Sequence, residues 1–319
     1  QGRRPEQAVG FDVVPASARQ RAAEAGQPLL AAARPELERL ARAVAPIRYF
    51  AILTDAHGTV IDTAGAIDRQ DRRADCIARV GVDLSERSIG TSAIGAALDE
   101  LQPVWLHRGE HFFRDTSVYS CAGAPLFDPA GRCVGMLDLT GIDVPERPEL
   151  KHLVVRSTRA IGTAMALAVP HALELRLAWP GNPMGDEQAA LVCLDADGAV
   201  VASNTAARKM LAGLRALAQG PVHASELFAL PWQQLFDQAG RAEPLLAPLW
   251  SGLRVTVHAR RAQASGTRAP LKALETELIH QAVREAGGNV GAAARSLGLS
   301  RATVYRRLAA ARPGQPARE

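Results

Sequence analysis

The strongest constraint in this sequence lies near its C-terminus. Apolar residues Leu271, Leu274, Leu278, Ile279 and Ala282 recur at helical spacing and mark one face of a helix running to Glu285. Gly287-Gly288 stops that helix, and Asn289 is a good N-cap for a second one ending at Leu297. Gly298 supplies a permissive turn position and Leu299 plugs the core. Ser300 then caps a third helix that starts at Arg301 and ends near Ala310. Two short helices joined by a tight, Gly-containing turn form a helix-turn-helix. Ala293 and Ala294 allow close helix crossing, while Val304 and Leu308 point inward. Arg301, Thr303, Tyr305, Arg306 and Arg307 are left facing outward.

Those outward side chains suit double-stranded DNA. Arg forks onto guanine or phosphate, Thr touches a thymine methyl and Tyr reaches a phosphate. Charge points the same way. From Ala286 to Arg318 there are six Arg and no Asp or Glu, whereas all 319 residues together carry only +4. The competing reading is a solvated basic helix in an ordinary bundle. Turn chemistry, core spacing and one-sign charge agree on DNA. The run from Asn289 through Gly298-Leu299-Ser300-Arg301 to Leu308 resembles the Fis-type helix-turn-helix of bacterial enhancer-binding activators. The resemblance covers residues 271–313 and implies a homodimer whose DNA-binding residues are Ser300, Arg301, Thr303, Tyr305, Arg306 and Arg307.

The rest of the chain has ordinary globular composition, with 47% hydrophobic and 22% charged residues. Its length allows two or three domains. No apolar run is long enough for a membrane span. Arg3-Arg4 is not followed by an apolar h-region, so no secretory or twin-arginine signal is expected. The four Cys are scattered without a C-x-x-C pair, which disfavours a disulfide framework or structural zinc. A cytoplasmic protein without a cofactor or metal is expected.

An α+β organisation is legible. Residues 1–28 read as a lead-in or linker, and Leu29 to Val44 as an amphipathic helix. Tyr49 to Asp62 forms a strand–turn–strand unit, Ser92 to Leu101 a helix, and 103–106 and 117–122 strands. A second strand–turn–strand unit spans 125–139. Leu150 to Leu177 is compatible with one long helix, and Trp179 to Pro183 with a linker. A third hairpin spans 191–202, Asn204 to Leu217 reads as helix, and Leu253 to His258 alternates like an edge strand. The expected domains are 29–178 and 186–260, with a linker at 261–270 before the helix-turn-helix.

Residues Glu86 to Leu98, with Pro103-Val104-Trp105, Glu110 to Phe113 and Tyr119 to Asp128, resemble the GAF sensor domain of acetoin-catabolism regulators, members of the sigma-54-dependent activators. The family more often carries Asn where Ser92 stands. The resemblance implies a concave site for a small metabolite effector. Trp105, His107, His111, Phe112, Tyr119 and Cys121 provide aromatic walls with a few polar tips. Each also suits plain core packing, His111 beside Phe112 above all. Cys121 and Cys133 lack a neighbouring basic cluster that would favour a redox role. Gly109 disfavours a metal pair made by His107 and His111. Asp195 to Ala207 resembles the start of a PAS-type domain, and a packing domain without ligand fits equally well.

Activators of this family usually carry an ATPase domain whose phosphate loop ends in Gly-Lys-Ser/Thr. No Gly-Lys pair occurs in this chain, so ATP-driven promoter opening does not carry over. The reading is a ligand-responsive bacterial DNA-binding transcriptional regulator without its own ATPase, and not an enzyme. RNA polymerase or a full-length activator are further partners, and no membrane is implied. One alternative is a partner-binding modulator that heterodimerises with a full-length sigma-54-dependent activator. Another is a methionine sulfoxide reductase using Cys121 or Cys133, for which no nucleophile–base pair is legible.

Overall fold

A computed structural model of the chain describes residues 3–13, 15–17, 20, 24, 26–182 and 189–262, with Val290 and Ala294 as single positions beyond them. The chain divides into a unit of residues 1–262 and a second of 263–319. The expected helix-turn-helix at 271–313, with all its DNA-binding residues, lies outside the described residues.

The first unit holds two five-stranded antiparallel sheets. The first comprises β1 (Tyr49–Asp55), β2 (Val60–Ala64), β3 (Val104–His107), β4 (Tyr119–Phe127) and β5 (Cys133–Ile142), in the order β2-β1-β5-β4-β3. Strand alternation splits its core in two. Tyr49, Ala51 and Leu53 face helices α1 (Gln27–Val44) and α5 (Leu150–Ala168). Phe50 and Ile52 face the other way, toward α2 (Arg72–Ile77), α3 (Glu86–Ile89) and α4 (Ala93–Glu100).

The second sheet comprises β6 (Leu173–Ala178), β7 (Ala190–Leu194), β8 (Val200–Ser203), β9 (Leu245–Pro248) and β10 (Arg254–Arg261), in the order β8-β7-β6-β10-β9. Helices α6 (Thr205–Met210), α7 (Ala224–Leu227) and α8 (Gln233–Asp237) cover one face. The two sheets share one spatial plan. In the first the central strand comes last in the chain; in the second it comes first. Helix α5 serves both sheets. Its Val154, Ile161 and Met165 pack into the first, while Ala166 packs with Leu191, Cys193 and Ala202 of the second.

Several sequence expectations need correction. The long helix from Leu150 stops at Ala168. Pro170 has no amide hydrogen and holds Val169 extended, at φ −73° and ψ 131°. Residues 173–178, grouped by sequence with the first domain, form the central strand of the second sheet, with Leu173, Leu175 and Leu177 fully buried. The strand near 253–258 is not an edge, because β10 lies between β6 and β9. The helix from Asn204 breaks after Met210 and continues as a 3₁₀ turn over Ala212–Ala218. The lead-in is anchored, not frayed, where it is described: Asp83 N donates to Asp12 O at 3.0 Å and Arg114 N to Pro5 O at 3.0 Å.

Candidate ligand cavity

Between the first sheet and helices α2–α4 lies an internal cavity of about 30 Å³. That is room for roughly one or two waters. Its floor is Ile52 of β1, Tyr119 and Cys121 of β4 and Thr140 of β5. Ile77, Ile89 and Ile94 form the roof, and Phe11 and His111 close the sides.

His111 is 5% exposed. It follows the tight turn Arg108–Glu110, where Glu110 accepts from His107 N at 2.6 Å. His111 Nδ1 lies 3.0 Å from Arg108 O. A carbonyl oxygen only accepts, so Nδ1 carries the hydrogen. Burial holds the imidazole below its ordinary pKa and therefore neutral. Nε2 is then a bare acceptor, buried without a protein partner.

The other polar side chains around the cavity are engaged. Tyr119 donates its hydroxyl to Arg73 O at 3.0 Å, and burial pushes the phenol well up. Thr116 donates to Phe113 O at 2.9 Å. Ser92 caps α4 by accepting from Gly95 N at 3.1 Å. Thr140 donates to Asp138, and its Oγ1 lies 3.6 Å from Cys121 Sγ.

Asp138 is fully buried behind this wall. Burial pushes its carboxyl up to about 7, against the hydrogen bonds from Thr140 and Cys121. Its Oδ1 has no partner. Gly123 sits opposite Asp138 in the β4–β5 register. A Cβ there would meet Asp138 Oδ1 at 3.3 Å and the Met136 methyl at 2.6 Å, so the position is tight for any larger residue. Burial also raises the Cys121 thiol well above its usual value, which leaves it a poor nucleophile.

Of the six expected ligand residues, His111, Tyr119 and Cys121 meet at the cavity. Trp105 and His107 do not. They lie on the opposite face of β3, where Trp105 packs against the α1 and α5 side and stacks with His107, ring centroids 6.3 Å apart. His107 Nδ1 lies 2.7 Å from Ser120 Oγ on that same face. Phe112 is 39% exposed and packs edge-on against Phe113. Sequence reading missed Phe11, Thr140 and Asp138. The signal for the last two was a pair of polar residues two apart within an otherwise apolar strand.

A larger apolar groove of about 1280 Å³ runs between the start of α1 and the end of α5, bounded by Leu29, Ala32, Met165 and Val169. It has no buried unpartnered polar atom on its wall. Among the described residues no group of three His, Cys, Asp or Glu is placed to hold a metal, and no helix is long and apolar enough to cross a membrane.

The MimR N-terminal domain family matches residues 6–165, and the Fis family of bacterial regulatory proteins matches residues 270–310. The acetoin catabolism regulatory protein of Cupriavidus necator is 30% identical over 217 residues, 64% of this chain and 31% of that protein. The propane 2-monooxygenase operon transcriptional activator MimR of Mycolicibacterium goodii is 34% identical over 115 residues, 35% of this chain and 20% of that protein. The chain thus spans under a third of the length of these curated relatives. Among solved structures, the N-terminal part of E. coli DhaR in its complex with DhaL aligns over 81% of this chain and 94% of that chain, with a TM-score of 0.48 and 17% identity. The resemblance to acetoin-catabolism regulators and to a Fis-type C-terminus therefore holds, and with half of its residues matched, the chain belongs to the MimR N-terminal domain family.

Proposed function

We propose that this protein is a ligand-responsive, DNA-binding transcriptional regulator that works without an ATPase domain in these 319 residues. The observation that carries the ligand half is the buried, unpartnered His111 Nε2 on the wall of an enclosed cavity, within the family-matched segment. Buried polar groups are nearly always satisfied, and an exception on a cavity wall marks a place where a ligand supplies the partner. The DNA half rests on the Fis-family match over 270–310 and the all-Arg charge of that region.

In this reading the first sheet domain is a GAF-like sensor and the second is PAS-like. The ligand contacts are His111, Tyr119 and Cys121, joined by Thr140. Helix α5, packed on both sheets, passes the change on toward a cytoplasmic homodimer on DNA. Ser300, Arg301, Thr303, Tyr305, Arg306 and Arg307 carry the DNA contacts. No enzymatic step is assigned.

The absence of a Gly-Lys pair motivates a second reading, a modulator that pairs with a full-length activator. Gel-shift titration of the purified full chain on its own promoter region, at several salt concentrations, separates the two. Specific, salt-dependent binding supports the regulator. Equal and negligible affinity for promoter and scrambled DNA overturns it.

A further inference from the structure

We propose that the cavity selects a hydrogen-bond donor: its occupant is a small uncharged molecule whose hydroxyl is accepted by His111 Nε2, in preference to the ketone of the same carbon skeleton. This rests on the reading of the cavity as the ligand site.

The argument is an inventory of hydrogens. The hydroxyls of Tyr119 and Thr116 are committed to Arg73 O and Phe113 O. Thr140 is engaged with Asp138. Ser92 keeps one hydrogen after accepting from Gly95 N, and a hydroxyl or a carbonyl oxygen can accept it equally well. That group does not discriminate. His111 does, because Nδ1 is turned toward Arg108 O and Nε2 can only accept. A ligand hydroxyl donates to Nε2. A ketone oxygen brings lone pairs only and leaves Nε2 buried and unsatisfied, the situation in which binding sites discriminate most sharply. The lining residues include no Lys, Arg, Asp or Glu, and the isoleucine roof gives a net charge nothing to pair with.

Size sets the second condition. About 30 Å³ does not hold a four-carbon molecule, so a wall must move. Phe11 is the wall residue that belongs to neither the sheet nor its helices. Its segment is tied down by a few bonds, among them Asp83 N to Asp12 O at 3.0 Å and Val9 N to Asp115 Oδ2 at 3.1 Å. Entry of the ligand displaces Phe11.

The test titrates the full chain with 2-butanol and with butanone, following binding by ligand-observed NMR and calorimetry. The expected result is a Kd at least about tenfold lower for 2-butanol. In His111→Phe, which removes a buried unpartnered atom and so keeps the fold, the two affinities fall within about twofold of each other. In Phe11→Ala both bind more tightly and the preference for the alcohol persists. If butanone binds wild type as tightly as 2-butanol, donor selection is overturned while the ligand cavity stands. A preference that survives His111→Phe overturns the assignment to Nε2. If neither compound binds saturably to wild type or to Phe11→Ala, the proposal and the cavity reading fall together.

Discussion

Thr140 donates its hydroxyl hydrogen to the carboxylate of Asp138, two residues earlier on the same strand and entirely out of water. The bond favours the charged carboxylate, yet burial outweighs it and holds the group up to about 7. An unfolded Asp titrates near 4. Between those values the folded chain binds more protons than the unfolded one, so this residue's contribution to stability is complete below about 4 and is lost as pH rises through 7. Asp138→Asn removes the titration and keeps the shape. Urea unfolding of both proteins from pH 4 to 8 is expected to show wild type losing ground to the variant with rising pH, by at most about 4 kcal/mol. A difference that stays constant with pH contradicts the assignment.

Asn204 ties four pieces of the fold together. Its Oδ1 accepts from Leu191 N at 3.0 Å and from Ala207 N at 2.9 Å, joining β7 to the first turn of α6. Its Nδ2 donates to Ala189 O at 3.0 Å and to Thr163 Oγ1 at 3.1 Å on α5. All of its usual hydrogen-bonding capacity is filled. Asn204→Ala loses a helix cap worth about 1 kcal/mol and strands buried partners that cost about 1–3 kcal/mol more. The expected loss is therefore roughly 2–4 kcal/mol by chemical denaturation. A loss under about 0.5 kcal/mol would mean that the bridge carries no weight.

What the sequence disclosed depended on how local the signal was. The Asp55-Ala56-His57-Gly58 turn was legible because Gly58 takes φ +83° and Asp55 caps the turn from its own side chain. Ser92 was legible at the start of α4 for the same reason. Trp105 and His107 were assigned to the wrong face because one-residue parity on β3 follows from its register with β4, where Trp105 pairs with Ala122. The strand Leu173–Ala178 was absorbed into the preceding helix because its alternating leucines also fit a helical stripe. Phe11 gave no signal at all, since the wall it completes is built by residues far along the chain.

The remaining prediction concerns the C-terminal segment, where the Fis-family match at 270–310 includes Ser300 through Arg307. The helix opened by Ser300 is expected to enter the major groove, as recognition helices do. Arg301 and Thr303 then lie nearest the base edges, and Arg306 and Arg307, a turn further on, suit phosphates. Arg301→Ala should cost about 1–3 kcal/mol at the specific site and relax discrimination at one base position. Arg306→Ala should weaken all sequences about equally and reduce the salt slope by about one unit. Affinity against salt, for wild type and both variants on promoter and scrambled DNA, distinguishes the roles. Equal weakening of both DNAs by Arg301→Ala makes Arg301 a phosphate clamp and removes its base-reading role. If neither variant alters binding to either DNA, this helix does not touch DNA, and the modulator reading takes precedence.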